Sequence, residues 1–133
     1  MRIYVAGPYT KGDPVVNVAT AIDAGDELAN MGHYPYIPHL SMFWHYRHSH
    51  EYNFWLDQDK AWLTCCNALL RLPGESSGAD KEVALAQELG IPVYYSVEEV
   101  FEASILTIYD GRTCREMKKD GECPLTVLKE DAS

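Results

Sequence analysis

Apolar residues follow two patterns along this chain. Short unbroken apolar runs are typical of buried strands, and longer stretches with an apolar residue every three or four positions are typical of amphipathic helices. The short runs predict strands at residues 2–6, 33–37, 67–72 and 91–95. The helical spacing predicts helices at residues 14–31, 52–66 and 80–89, and a short helix after residue 96. This alternation predicts an α/β fold: a single-domain, doubly wound parallel sheet of four to five strands with helices on both faces, similar to a flavodoxin or Rossmann fold.

Turn residues define the ends of several of these elements. Gly7 and Pro8 end the first strand, while Asp13 and Pro14 supply an N-cap residue and a proline at the first helical position. Residues 39–52 are rich in aromatic residues and histidine, and they predict a long loop of the kind that often carries function. We expect one domain over residues 1–104 and a partly ordered C-terminal extension over residues 105–133.

The charge narrows the class of partner. The chain has 133 residues, 47% of them apolar, and its 11 Lys and Arg against 20 Asp and Glu give a net charge of −9. A nucleic acid polymer would be repelled by this charge, so we expect none as a partner, whereas a single phosphate can still bind at a helix N-terminus. No segment has the length of a signal peptide or a membrane span, so we expect a cytoplasmic protein with no membrane association.

The cysteines do not predict a metal site. Cys65 and Cys66 are adjacent within a helical pattern, and Cys114 and Cys123 lack partners at zinc-binding spacing. We expect reduced thiols, although the last two could form a disulfide in an oxidising compartment. We expect no metal and no cofactor.

Three segments are predicted to meet at one edge of the sheet, because parallel sheets bind ligands at the carboxyl ends of their strands. These segments are residues 7–10 after the first strand, residues 38–39 after the second, and residues 74–78 after the third. Glu82 follows closely, in the expected first turn of the next helix, where free amides and the helix dipole favour an ionised carboxylate. Such a carboxylate suits a glycosidic nucleophile, although acidic residues are also common in first turns without any catalytic role.

The motifs at this edge resemble one known superfamily. The relevant stretches are GPYT after the first strand, Asn17 in the first helix, PHL after the second strand, and the run LDQDKAWLTCCNALLRLPGESSGADKEVALAQELGIPVYY. Together, over residues 1–97, they resemble the nucleoside 2-deoxyribosyltransferase-like superfamily. That superfamily includes deoxyribosyltransferases that exchange bases, 2′-deoxynucleoside 5′-phosphate N-hydrolases and CMP N-glycosidases.

The resemblance implies specific roles for three residues. Glu82 corresponds to the nucleophile that attacks the anomeric carbon, and Asp59 to the helix acid that contacts the sugar or protonates the departing base. Asp57 is the rival for that second role, and either aspartate could instead belong to a solvated helix face. Tyr9 corresponds to a first-loop aromatic whose hydroxyl could orient the nucleophile, although it could also be a partly buried loop residue.

Further residues are implied in substrate binding. Ser76, Ser77 and Gly78 precede or open a helix, where hydroxyls and free amides can hold a 5′-phosphate or 5′-hydroxyl, although one serine could simply be the cap. Because deoxyribosyltransferases tend to have an acid where Ser76 stands, the resemblance favours 5′-monophosphates. Lys11 in the first loop could add positive charge at the same phosphate, and His39 could contact the base or sugar. Gly7, Pro8 and Thr10 are the other residues implied in substrate binding.

The aromatic and histidine-rich segment has several interpretations. Trp44 could stack on a base, or the segment could form a lid or a subunit contact. His45, His48 and His50 lack the spacing of a metal site. Relatives complete their sites with a neighbouring subunit, so the resemblance implies a homodimer or higher homo-oligomer with shared active sites.

The sequence therefore predicts an enzyme acting on a small nucleoside or nucleotide. The preferred reaction is hydrolysis of a nucleoside 5′-monophosphate, and the alternative reaction is base exchange between deoxynucleosides. The non-enzymatic alternative is a sensor that binds a nucleotide without turnover. A receiver domain would need an aspartate at the end of the third strand, where LRLPG stands. A dinucleotide-binding domain would need a glycine-rich first turn, which GPYTKGD lacks.

Overall fold

The computed structural model describes residues 1–108, and these form a parallel α/β fold. The predicted strands and helices are all present, most of them one to three residues shorter or longer than expected. In chain order they are β1 (Arg2–Ala6), α1 (Pro14–Asn30), β2 (Tyr34–Tyr36), a 3-10 turn (Pro38–Leu40), α2 (Ser41–Arg47), α3 (Tyr52–Leu63), β3 (Ala68–Arg71), α4 (Ser77–Glu88), β4 (Val93–Tyr94) and α5 (Val97–Ile108).

The sheet has the order β2-β1-β3-β4, and each neighbouring pair is parallel. Ile3 on β1 is the register partner of both Pro35 on β2 and Ala68 on β3, so β1 lies in the middle of the sheet. Right-handed crossovers from β1 to β2 and from β3 to β4 run in opposite directions, which places α1 and α4 on opposite faces. The predicted doubly wound fold class is confirmed, and its switch point lies between β1 and β3, where such sheets bind ligands.

The hydrophobic core lies between the central strands and the helices that follow them. One cluster joins the sheet to α3 and α4, and its buried members are Tyr4, Ala6, Leu63, Leu69, Ala79 and Ala86. Tyr4 is fully buried although it carries a hydroxyl, and this hydroxyl becomes important at the site. The Asp13 side chain caps α1 by accepting from the Val15 amide at 2.9 Å, and Pro14 is the first helical residue, as predicted.

The predicted loop over residues 39–52 is wrong, because most of this segment is helical. The 3-10 turn and α2 occupy its first part, and α3 begins at Tyr52. Packing explains the helix: the Trp44 ring meets the rings of Phe54 and Trp55 on α3 edge-on, at 5.7 and 5.1 Å between centroids. Five of the seven residues of α2 are exposed and none is fully buried, so the helix has no buried apolar face of the kind that a periodic pattern predicts.

Met1–Val97 form one compact unit, and the described residues from Glu98 onwards belong to a second. The sheet and every residue of the candidate site lie in the first unit. Most of the predicted C-terminal extension, including Cys114 and Cys123, lies outside the described residues. No helix within residues 1–108 combines the length and the apolar character that crossing a bilayer requires.

Candidate active site

A cavity of about 530 Å³ opens at the predicted edge of the sheet. It contains residues from all three of the segments that were expected to converge there. Of the predicted site residues it is lined by Tyr9, Thr10, Lys11, His39, Asp59, Ser76, Ser77 and Glu82. The lining residues that the sequence did not identify as site residues are Pro38, Ser41, His45, His50, Tyr52, Trp55, Leu56 and Glu75.

Glu82 faces this cavity from α4, but its electrostatic setting differs from the expectation. The helix begins at Ser77, earlier than predicted, so Asp80 is the acidic residue of the first turn and Glu82 lies in the second. The helix N-terminus therefore does not hold Glu82 ionised, which corrects the sequence-based argument. Instead, burial raises the pKa of Glu82 to about 7, with a further increase from the negative charge of Asp59.

Tyr4 and Arg71 act on Glu82 in the opposite direction. The Tyr4 hydroxyl lowers the pKa of the Glu82 carboxyl through a side-chain interaction, and the positive charge of Arg71 lowers it further. Among residues 1–108, neither the Tyr4 hydroxyl nor Oε2 of Glu82 has a hydrogen-bond partner of good geometry, so this contact is a loose one. Sequence reasoning missed Tyr4 because an aromatic residue in a buried strand looks like an ordinary core residue.

Asp59 and Asp57 are clearly separated by the structure. Asp59 lines the cavity, and burial raises its pKa to about 6. Asp57 is exposed and is not among the cavity residues. Of the two aspartates, Asp59 is therefore the one that a ligand in the cavity could contact.

Aromatic rings border the two carboxyls on the side of the core. Tyr36 lies between Tyr4 and Trp62: its ring centroid is 5.5 Å from that of Tyr4 and 5.6 Å from that of Trp62, which it stacks on. Burial, followed by the negative charge of Asp59, raises the pKa of Tyr36 to about 12. For both carboxyls, burial is the largest cause of the raised pKa.

The turn after β3 contributes Glu75, Ser76 and Ser77 to the cavity lining. The Ser76 hydroxyl accepts from the Ala79 amide at 3.1 Å, so Ser76 is the N-cap of α4. Lys11, in the loop after β1, makes an ion pair with Glu75, with 2.6 Å between Nζ and Oε1. Asn17 holds the first loop in place, since its amide donates to the carbonyl oxygens of Tyr9 and Lys11 at 2.9 and 2.8 Å.

Gly7, Pro8 and Gly78 support the cavity without lining it. A Cβ atom on Gly7 would lie 2.9 Å from Cβ of Leu72, so this position needs a residue without a side chain. The Pro8 carbonyl is 3.0 Å from Nε2 of His39, and that contact links the loops after β1 and β2. Burial lowers the pKa of His39.

Arg71 is a second residue that sequence reasoning missed. Its buried guanidinium donates to the carbonyl oxygen of Leu72, to that of Gly74 at 2.9 Å, and to Oδ1 of Asp80 at 3.0 Å. It therefore ties the end of β3 to the turn and to the first turn of α4. The apolar run that contains it predicted only a strand.

Four aromatic or imidazole side chains also line the cavity: Trp55, His45, His50 and Tyr52. Trp44 packs against Trp55 and is not among the cavity residues. His50 stacks on Phe54 at 3.8 Å between ring centroids. Within residues 1–108 there is no group of three His, Cys, Asp or Glu side chains arranged to hold a metal ion.

Comparison with known proteins supports this fold. Residues 1–95 match the model of a family described as Domain of unknown function (DUF4406). The structure is similar to that of a 2-deoxyribosyltransferase from the psychrotolerant bacterium Bacillus psychrosaccharolyticus, with a TM-score of 0.56 and 19% sequence identity over 70% of this chain and 69% of that one. That protein is described as a biocatalyst for the synthesis of nucleosides. No curated protein sequence matches the chain significantly. The predicted nucleoside 2-deoxyribosyltransferase-like fold is confirmed.

Proposed function

Since this chain belongs to the DUF4406 family and has the fold of a 2-deoxyribosyltransferase, we propose that it is an enzyme that cleaves the N-glycosidic bond of a nucleoside 5′-monophosphate or a nucleoside. One observation carries the proposal: two carboxyls, Glu82 and Asp59, face the same cavity, and burial raises the pKa of each towards neutrality. A glycosidase of this type needs one ionised and one protonated carboxyl at the same time.

The proposed reaction has two steps. An oxygen of ionised Glu82 attacks the anomeric carbon, the bond from that carbon to the base nitrogen breaks, and protonated Asp59 donates its proton to the departing base. The base leaves, and the sugar remains bound to Glu82 as an ester. Water then attacks the anomeric carbon, Asp59 accepts its proton, and Glu82 is released with the free sugar or sugar phosphate.

This assignment sets a requirement on the position of the proton. Burial raises the pKa of both carboxyls in the free protein, so the pair can share one proton near neutral pH, and the proposed reaction needs that proton on Asp59. Tyr4 and Arg71 favour the ionised form of Glu82, and the positive charge that develops on the sugar favours it further. We therefore assign the orienting role to Tyr4 in place of Tyr9, whose ring meets His39 edge-on at 6.1 Å between centroids.

The turn after β3 is the proposed site of the 5′ group. Ser76 and Ser77 line the cavity where α4 begins, and free amides at a helix N-terminus bind phosphate well. Lys11 supplies a cation beside them, although Glu75 already neutralises it. A 5′-phosphate would compete with Glu75 for Lys11, whereas a 5′-hydroxyl would not.

The test is release of free base from a panel of ribonucleosides, 2′-deoxynucleosides and their 5′-monophosphates. Glu82→Gln should abolish release, and the glycosyl ester should be detectable by intact-mass spectrometry of the rapidly quenched wild type but not of this variant. Asp57→Asn and Glu88→Gln are matched controls, because both side chains are exposed outside the cavity. Release of free base by Glu82→Gln at the wild-type rate would refute the assignment of Glu82 as the nucleophile.

Asp59 is tested with a substrate whose base needs no proton. The base of 7-methyl-2′-deoxyguanosine carries a fixed positive charge and leaves as a neutral molecule. Asp59→Asn should lose about 100-fold or more on ordinary nucleosides, which is the usual contribution of general acid catalysis, and much less on this substrate. An equal loss on both would show that Asp59 does not protonate the base.

Adding a free acceptor base separates hydrolysis from base exchange, since both reactions pass through the same ester. We expect free sugar phosphate to form faster than a new nucleoside. Faster formation of the new nucleoside would make the protein a deoxyribosyltransferase. Tight binding of one nucleotide without any release of base would instead identify a sensor.

A further inference from the structure

We propose that His45 recognises the base of the substrate by donating a hydrogen bond from Nε2. Trp55 is the positioning residue, because its indole keeps the imidazole hydrogen on Nε2, and we call this arrangement of donor and acceptor nitrogens the polarity of the ring. The inference rests on the proposed function for the identity of the ligand. The polarity of the imidazole itself follows from contacts within the protein.

Two donors act on the same ring nitrogen of His45. The indole Nε1 of Trp55 donates to Nδ1 of His45 at 2.9 Å, and the backbone N–H of His50 points to the same atom at 3.3 Å. An indole N–H and a backbone N–H can only donate, so Nδ1 must be the unprotonated acceptor. The hydrogen of the neutral ring therefore lies on Nε2, which has no hydrogen-bond partner among residues 1–108.

The two donors also hold the ring in one orientation. Trp55 is fixed by edge-on contacts with Trp44 at 5.1 Å, with Phe54 at 4.9 Å and with His50 at 5.7 Å between centroids. The His45 ring meets Trp55 at 5.6 Å, and both residues line the cavity. With Nδ1 occupied, Nε2 is the polar atom that His45 can offer to a ligand in the cavity.

The position of His45 within the cavity indicates which part of the ligand it meets. If Glu82 attacks the anomeric carbon and Asp59 protonates the base, the base lies next to Asp59. Trp55 lies one helical turn before Asp59 on α3 and donates to His45, so both side chains lie on the side of the cavity where the base is expected. Each common nucleobase carries carbonyl oxygens or unprotonated ring nitrogens, and these are acceptors for a fixed N–H donor. A fixed donor selects an acceptor and disfavours an exocyclic amino group at the same place.

The polarity is tested directly by long-range ¹H–¹⁵N spectra of the imidazoles of the full chain. The resonances of His45 are identified as those that disappear in His45→Gln. We expect a protonated Nε2 and an unprotonated Nδ1 in the wild type. In Trp55→Phe only the longer contact from the His50 amide remains at Nδ1, so we expect a larger share of the tautomer with a protonated Nδ1. Addition of 2′-deoxyuridine, 2′-deoxyadenosine or their 5′-monophosphates should shift the Nε2 resonance. A protonated Nδ1 in the free wild type, or an unchanged Nε2 resonance in the presence of a bound nucleoside, would overturn the inference.

Recognition is tested by three substitutions of comparable size. His45→Phe keeps a ring but has no donor, and should lower kcat/KM by about two- to tenfold, the effect of one neutral hydrogen bond. His45→Gln should restore most of the loss, because its Oε1 can accept from Trp55 while its Nε2 donates. His48→Phe, an exposed residue outside the cavity, is the control.

The outcomes separate this inference from the proposed function. Wild-type kcat/KM in His45→Phe, or the same loss in His45→Gln, would refute hydrogen bonding by His45 even if the enzyme cleaves nucleosides. If the wild type releases no base, the proposed function fails. A shift of the Nε2 resonance on addition of nucleosides would still support hydrogen bonding from His45 to the base.

Discussion

The Tyr4 hydroxyl on the central strand interacts with the Glu82 carboxyl on α4 and lowers the pKa of a group that burial raises to about 7. Both groups are buried, and neither the hydroxyl nor Oε2 of Glu82 has a well-formed hydrogen bond to any residue in the described part of the chain. The strand thus places a polar group against the proposed nucleophile from inside the core. This arrangement joins the fold directly to the chemistry of the site.

Tyr4→Phe should move the acidic limb of the kcat/KM profile to higher pH. Removing a hydroxyl that favours ionised Glu82 raises the pKa of the carboxyl, so more base is needed to ionise it. We expect activity at pH 6 to fall more than activity at pH 8. The free energy of unfolding should change by less than about 1 kcal/mol, because the lost hydroxyl makes no well-formed hydrogen bond.

Tyr9→Phe distinguishes the two tyrosines. Tyr9 is 38% exposed and lines the cavity from the first loop. If Tyr9→Phe moved the acidic limb and Tyr4→Phe did not, the orienting role would return to Tyr9. A uniform loss at every pH would indicate only a role in binding.

The wild-type profile should be bell-shaped, with its maximum between pH values of about 6 and 7. Activity needs Glu82 ionised and Asp59 protonated, so it falls when both carboxyls are protonated and when both are ionised. The pKa values of about 7 and about 6 belong to two interacting groups, so the two limbs describe the pair. A profile that stays flat from pH 5 to pH 9 would contradict a mechanism with two carboxyls.

Glu82→Gln should gain stability relative to the wild type as the pH rises. The folded-state pKa of about 7 lies above the usual glutamate pKa of 4.5, so folding binds a proton between these pH values and the wild type loses stability as the pH rises through this window. The difference in the free energy of unfolding between variant and wild type should increase by about 3 kcal/mol from pH 4 to pH 8. Chemical denaturation at several pH values measures it, with Glu88→Gln as the exposed control on the same helix. A difference that does not depend on pH would show that Glu82 is not held in a desolvated site.

The sequence predicted those parts of the fold and site that depend on periodicity and turn chemistry. Strands β1 to β4, the edge where their loops meet, and the placement of Glu82 near that edge follow from such local patterns. Asp59 was identified by the family resemblance instead, and it also lines the cavity. The roles of those two residues remain predictions. The helix α4 begins at Ser77, three residues before the predicted start at residue 80, because the Ser76 hydroxyl caps it.

Other features depend on contacts between distant residues, and periodicity does not show them. Tyr4 and Arg71 belong to buried strands, where a polar group is indistinguishable by pattern from the core around it. The helix α2 depends on aromatic packing against α3. The hydrogen bond from Trp55 to His45 joins side chains ten positions apart, and no spacing rule predicts it.

Glu75→Gln should shift substrate preference towards 5′-monophosphates. Glu75 pairs with Lys11 at 2.6 Å beside Ser76 and Ser77, so it neutralises the cation and repels a phosphate that approaches it. We expect the ratio of kcat/KM for a nucleotide to that for its nucleoside to rise by about three- to tenfold at low salt, and less at high salt because both side chains are exposed.

Lys11→Gln should lower the same ratio, since it removes the cation and leaves Glu75 unpaired. Stability should change by no more than about 0.5 kcal/mol in either variant, as expected for an exposed ion pair. Steady-state kinetics on a matched pair, such as a deoxynucleoside and its 5′-monophosphate, provide the measurement. If both variants changed the two substrates equally, the 5′ group would have to bind away from this ion pair, because only a charge next to the phosphate can distinguish a nucleotide from its nucleoside electrostatically.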